Sequence, residues 1–237
     1  MWLKYRKDEN NLAENFIIAI DGPAGAGKST IAKIIASKLE FSYIDTGAMY
    51  RAIALNALQA GIIEDKKAIE IVAEKINITF KPDGEFNRVF TNGEEVTEKI
   101  RTPEVSNQAS YVSSLAGVRA AMLIKQRELG NKGNVVMDGR DVGTCIFPNA
   151  DVKVFLTASS IERARRRYIE LVAKGEKIDI TELQKEIDAR DKADSERAIA
   201  PLKKATDAIV IDSTKLSIYQ TADMIIELVK RKKKDVL

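Results

Sequence analysis

The chain has 237 residues, 45% apolar and 31% charged, with a net charge of +3; this is the make-up of a soluble globular protein with a sizeable core, too balanced to point to nucleic acid. It contains no histidine and one cysteine, Cys145, which excludes histidine bases, histidine-ligated metals, histidine triads and any intrachain disulfide. Catalysis must therefore rest on Lys, Arg, carboxylates, hydroxyls and backbone amides.

Residues 1–15 are charged and lack the apolar core of a signal peptide. They read as a lead-in, with Trp2 and Tyr5 packing on a neighbouring surface. No apolar run approaches the roughly 18 residues of a membrane span. With few cysteines and no export signal, the expected compartment is the cytoplasm. Phe16 to Ile20, ending at Asp21, is an unbroken apolar run that predicts a buried strand of a parallel sheet. A glycine-rich turn follows, then a helix over 28–39 with Ile31, Ile34, Ile35 and Leu39 on one face. A second strand over 41–44 leads to Asp45-Thr46-Gly47 and a helix running to about Gly61.

Residues 76–97 change period. Two alternating runs separated by Pro82-Asp83-Gly84 and followed by Asn92-Gly93 predict a small three-stranded antiparallel insert. Thr102 as cap and Pro103 at the first helical position open a helix expected to continue to Gly130. Buried strands are expected at 135–137 (ending at Asp138), 152–156 and 208–211, and capping boxes at Ser159…Glu162, Thr181…Gln184 and Ser217…Gln220. Strands alternating with helices predict an α/β fold, a parallel sheet with helices on both faces. The expected division is a core of 16–61 and 102–237 and an insert of 62–101. The basic run Lys230 to Lys234 reads as a solvated helix end that complements the helix dipole, rather than a nucleic-acid or membrane patch.

Gly22-Pro23-Ala24-Gly25-Ala26-Gly27-Lys28-Ser29, followed by Thr30, matches the phosphate-loop pattern at every fixed position, with a strand before it and a helix after it. Glycines let backbone N–H groups converge on phosphate oxygens, and the helix N-terminus adds positive potential. Lys28 is placed to reach the β/γ-phosphates and Ser29 to ligate Mg²⁺. GTPases also need N-K-x-D, and Asn131-Lys132-Gly133-Asn134 lacks the final Asp. Arg51 lies one helical turn past Thr46-Gly47, and Arg140 follows a predicted strand. Arg190, Asp194 and Arg197 fall on one helical face. On spacing alone that face is either a second phosphate site or a solvated salt-bridged surface.

Six segments resemble the bacterial cytidylate kinases: 18–29 (IAIDGPAGAGKS), 43–51 (YIDTGAMYR), 137–144 (MDGRDVGT), 154–160 (VFLTASS), 197–202 (RAIAPL) and 211–214 (IDST). The chain departs from the family in its lead-in, and in Ser29, where some members carry glycine. The resemblance implies a P-loop nucleoside monophosphate kinase core, with the hairpin insert as part of the monophosphate-binding region and a helical lid near 160–198. It implies ATP and Mg²⁺ as donor and metal, CMP or dCMP as acceptor, and a monomer that binds neither nucleic acid nor membrane. Ser110, Arg119 and Asp141 are implied as cytosine readers, and Arg51, Arg140 and Arg197 as clamps on the acceptor phosphate. Arg190 and Asp194 are implied at the sugar hydroxyls, Thr46 and Tyr50 in the monophosphate site, and Arg163 and Arg166 closing over the γ-phosphate. The rival readings are another small-substrate kinase of this fold, acting on UMP, AMP or shikimate, and a non-catalytic nucleotide-binding regulator.

Overall fold

Five strands assemble into one parallel sheet in the order β2-β6-β1-β7-β8. They are β1 (Ile17–Asp21), β2 (Ser42–Asp45), β6 (Val135–Gly139), β7 (Val152–Thr157) and β8 (Ile209–Asp212). The structure, a computed structural model, describes residues 15–83, 86–173 and 175–234; Trp2, Tyr5 and Gly84 lie outside the described residues. The central strand β1 is buried along its whole length and pairs with β6 on one side and β7 on the other.

Alternation along β1 sorts its side chains into two cores. Ile17 and Ala19 join Ile44 and Met137 under α2 (Thr46–Gln59), α3 (Lys66–Lys75), α4 (Pro103–Val112) and α5 (Ala116–Gly130). Ile18 and Ile20 join Val154 and Leu156 under α1 (Lys28–Leu39) and α8 (Ile218–Lys234). A third, small cluster of Ala164, Leu171, Leu183 and Ile187 holds α6 (Ser160–Ala173) against α7 (Ile180–Glu196). These two helices thus carry a core of their own. The expected insert is present as an antiparallel sheet of β3 (Ile78–Asp83), β4 (Phe86–Thr91) and β5 (Glu94–Glu95). Asn92 and Gly93 both take positive φ, 50° and 90°, as a type I′ turn requires. Asn87 Nδ2 donates to the Tyr43 carbonyl at 2.7 Å, tying the insert to β2.

Several expectations need correction. The helix expected over 102–130 is two helices. Ser113 Oγ donates to the Ser110 carbonyl at 2.9 Å and Ser114 Oγ to the Tyr111 carbonyl at 2.7 Å, and Leu115 is extended; short polar side chains here compete for backbone groups and end α4. Helix α3 has no counterpart among the expected elements, although Asp65 caps it by accepting the Ala68 N–H at 3.1 Å and Ile69 and Ala73 anchor it in the core. The expected Thr181 box is replaced by a cap at Asp179, which accepts from the N–H groups of Thr181 and Glu182. Strand β8 is an edge strand, so only Ile211 of its four residues is buried. The Ser217 box forms, with Ser217 and Gln220 capping each other reciprocally; at Ser159 only half forms, since its Oγ accepts the Glu162 N–H while its own N–H donates to Thr214 Oγ1 and the Glu162 carboxylate turns to Arg165 and Arg166. Lys233 departs from a purely solvated helix end, lying 5.3 Å from the Phe16 ring centre and 5.0 Å from that of Phe41. Among the described residues no helix is long and apolar enough to cross a membrane.

The chain leaves β1 for β2 on one side and later crosses to β7 on the other, so the strand order reverses at the carboxyl end of β1. In open parallel sheets that reversal opens a crevice where ligands bind. The loops after β1 and β6 both end there.

Candidate active site

The loop after β1 is shaped by glycines where no other residue fits. Gly22 has φ 151°, and a Cβ there would fall 1.9 Å from the Leu156 carbonyl oxygen. Gly27 is left-handed at φ 88° and opens α1 without a side-chain cap, so the first-turn N–H groups are left for an anion. Lys28 is buried, and its Nζ donates to the Pro23 carbonyl at 2.7 Å. Burial, reinforced by the nearby Arg140 charge, pulls Lys28 down to about 7 against the pull of Asp138 and Asp21. Ser29 Oγ donates to Asp138 Oδ2 at 2.9 Å and the Tyr43 hydroxyl to Asp138 Oδ1 at 2.7 Å, while burial pushes Asp138 up to about 6. Thr46 Oγ1 donates to the Asp138 carbonyl at 2.8 Å. Asp138 is absent from the expected site. Its one sequence signal is an Asp ending an apolar strand. Thr30 is exposed on the first turn of α1.

Facing this loop is a second group of cations. Arg51 pairs with Asp45 at 2.9 Å, and Asp45 also caps α2 by accepting the Ala48 N–H. Arg140 Nε donates to Asp194 Oδ2 at 2.9 Å, and Arg197 lies 3.5 Å from the other Asp194 oxygen. Asp194 is therefore engaged by Arg140 and Arg197, not by Arg190 as the helical spacing suggests. Arg190 is drawn down to about 10, first by burial and then by Arg140. The Nε atoms of Arg51 and Arg190 are buried and have no hydrogen-bond partner among the described residues. Arg197 is locked in turn by the Ile199 and Ala200 carbonyls at 3.0 and 2.5 Å, with Ala200 at φ 48°.

Deeper in, Arg119 on α5 and Asp141 form a buried ion pair, and the Arg119 guanidinium lies 5.6 Å from the Tyr50 ring centre. Ser110, Ser114, Asp194, Arg197 and Ile199 line a cavity of about 360 Å³. Of the three residues expected to read a base, Arg119 and Asp141 meet directly, and Ser110 is linked to them through Ser113, whose carbonyl accepts from Arg119 at 3.2 Å.

The arginines of α6 divide by helix face. Arg163 is buried: it donates to the Ala158 and Ala24 carbonyls and pairs with Asp191, which itself accepts the Ala24 N–H at 3.1 Å. Arg163 thus grips the phosphate loop's backbone instead of reaching freely into the cleft. Arg166 donates to Ser213 Oγ and its carbonyl at 3.0 and 2.7 Å and pairs with Glu162. Arg165 and Arg167 face outward and pair with Glu162 and Glu170.

A sequence profile described as cytidylate kinase matches residues 18–231. The chain is 51% identical over 224 residues to the cytidylate kinase of Bacillus licheniformis, covering 93% of this chain and 99% of that one. It is 52% identical over 216 residues to the cytidylate kinase of Bacillus subtilis, covering 91% and 96%. An uncharacterized protein from Eubacterium ventriosum of known structure is similar with a TM-score of 0.52 at 15% identity, over 91% of this chain and 98% of that one, a likeness that speaks for the fold alone. With a donor loop, a second cation cluster and a match spanning nearly the whole chain, the protein belongs to the cytidylate kinase family.

Proposed function

We propose that the protein transfers the γ-phosphoryl group of ATP to CMP or dCMP, giving ADP and CDP or dCDP, as part of cytoplasmic pyrimidine nucleotide metabolism. The observation that carries this reading is the second cation cluster across from the phosphate loop. Arg51 and Arg190 hold buried Nε donors without partners, and such donors cost free energy unless an anion takes them. A phosphate monoester fits that need. The adjoining Arg119 and Asp141 suit cytosine: a carboxylate accepts from the exocyclic N4 amine, and a guanidinium donates to O2 and N3. The named groups come from one chain, and we take the working unit to be a monomer.

The reaction needs no general base. The second ionisation of a phosphate monoester has a pKa of about 6, so the attacking oxygen is already charged at neutral pH. That oxygen bonds to the γ-phosphorus as the bond from phosphorus to the β–γ bridging oxygen breaks, and the electron pair leaves with ADP. The protein holds two polyanions in line and neutralises them. Lys28, with the N–H groups of the loop, is assigned to the donor phosphates. Arg51, Arg140, Arg190 and Arg197 are assigned to the acceptor. Ser29, backed by Asp138, would hold Mg²⁺, a hard cation suited to these oxygen donors, and the ion would supply further charge neutralisation there. The pair α6–α7 is assigned as the lid, about 160–198, and its separate small cluster supports movement as a unit; closure would keep water from the γ-phosphate. Residues 62–101 are assigned as the monophosphate-binding insert.

A coupled ADP-release assay over CMP, dCMP, UMP, AMP and shikimate tests the reading. The highest kcat/KM is expected with CMP or dCMP. A different preferred acceptor would make the protein another kinase of this fold, and transfer to none would leave a nucleotide-binding regulator.

A further inference from the structure

Asp21 is the last residue of β1, immediately before the phosphate loop, and it is 5% exposed. Both its carboxylate oxygens are directed to the other loop of the site: Oδ1 accepts the Val142 N–H at 2.8 Å and Oδ2 the Gly143 N–H at 2.7 Å. Those amides open a single π-helical turn, Val142–Ile146, that has no local side-chain cap. The turn's own bonds start later, with the Cys145 and Ile146 N–H groups returning to the Asp141 carbonyl at 2.8 and 3.2 Å. A residue 121 positions away thus satisfies donors that would otherwise be buried and unpaired.

The fit leaves little slack. A Cβ on Gly143 would lie 3.3 Å from Asp21 Oδ2, and one on Gly139 would lie 2.7 Å from Thr46 Oγ1. Asp21's own backbone has separate support, because it sits in the ladder between Gly139 of β6 and Phe155 of β7. Its side chain hydrogen-bonds the loop that carries Arg140 and Asp141, its charge is also felt by Lys28, and the strand that launches the phosphate loop is held by main-chain bonds.

We propose that Asp21 is a positioning residue for the acceptor: by capping the 142–146 turn it aims Asp141 at the base and Arg140 at the acceptor phosphate. This rests on the cytidylate kinase reading of the site. Asp21→Asn keeps the shape but turns an amide NH₂ toward one of two N–H donors. Asp21→Ala removes both acceptors. With Asn we expect the KM for CMP to rise roughly tenfold and preference for CMP over UMP to fall by a similar factor, while the KM for ATP, which feels only the lost Asp21 charge near Lys28, rises several-fold less. Ala should exceed Asn in each effect on CMP. Gly143→Ala, whose Cβ would meet Asp21 Oδ2 at 3.3 Å and the flexible Lys153 chain at 3.2 Å, keeps the Asp21 charge, should give a milder version of the split and decides the matter if the Asp21 variants do not fold. Equal rises in both KM values, or a lower melting temperature with unchanged KM values, would overturn the proposal. A wild-type enzyme with no CMP preference would instead overturn the reading of the substrate.

Discussion

Replacing Asp194 with alanine separates a structural role from a substrate-binding one. On spacing alone the charges of α7 read as a solvated pair worth about 0.3–0.5 kcal/mol. The structure changes that magnitude, because the Asp194 side chain is 9% exposed and lies between Arg140, 20% exposed, and Arg197, 8% exposed. Removing one partner from a buried pair leaves an uncompensated charge and costs about 3–5 kcal/mol. The partial exposure of Arg140 argues for the lower end, about 3 kcal/mol. At about 2–4 °C per kcal/mol for a chain of this size, the melting temperature should fall by roughly 6–12 °C. The variant also leaves Arg140 and Arg197 without their shared counter-ion. Millimolar inorganic phosphate should therefore restore more stability to Asp194→Ala than it adds to the wild type. Calorimetry with and without phosphate reads both effects. An unchanged melting temperature, or equal stabilisation of both proteins by phosphate, refutes the reasoning. If sugar contact is also lost, the KM values for CMP and dCMP should move unequally, because only CMP has the 2′-hydroxyl.

Burial lowers Lys28 to about 7, well below the usual lysine range; donor phosphates favour its charged form, so binding a non-hydrolysable ATP analogue at pH 8 should be accompanied by proton uptake. Titration calorimetry in buffers of different ionisation enthalpy measures that uptake, and a heat independent of buffer contradicts it. Lys28→Ala should lose about 10²–10³ in kcat, because the charge it opposes grows in the transition state; near-normal turnover would remove Lys28 from the site. Asp141→Asn, which can offer an amide N–H to uracil O4, should shift the CMP/UMP selectivity by about 1–3 kcal/mol toward UMP. An unchanged ratio of kcat/KM values would mean that Asp141 does not read the base.

Features written in contiguous residues were legible from the sequence. The phosphate loop needs only a strand, glycines at positive φ and an uncapped helix start, all within residues 17–30. The Asn92-Gly93 turn and the Ser217–Gln220 box are equally local, because backbone sterics and short-range hydrogen bonds decide them. Pairing between distant charges was not legible. Asp194 meets Arg140, 54 residues away, and Ser29 meets Asp138, 109 residues away. A carboxylate on a helix face can serve any cation that the fold brings near, and the strand order determines which one arrives. Setting β6 beside β1 put Asp138 against Ser29, and Asp21 against the 142–143 amides. Docking α6 on the loop brought Arg163 onto the Ala24 carbonyl, a contact 139 residues apart in sequence. The side chains that can hold phosphate are a property of the chain's local chemistry, whereas the partner each charge meets is set by long-range packing, which local sequence does not encode.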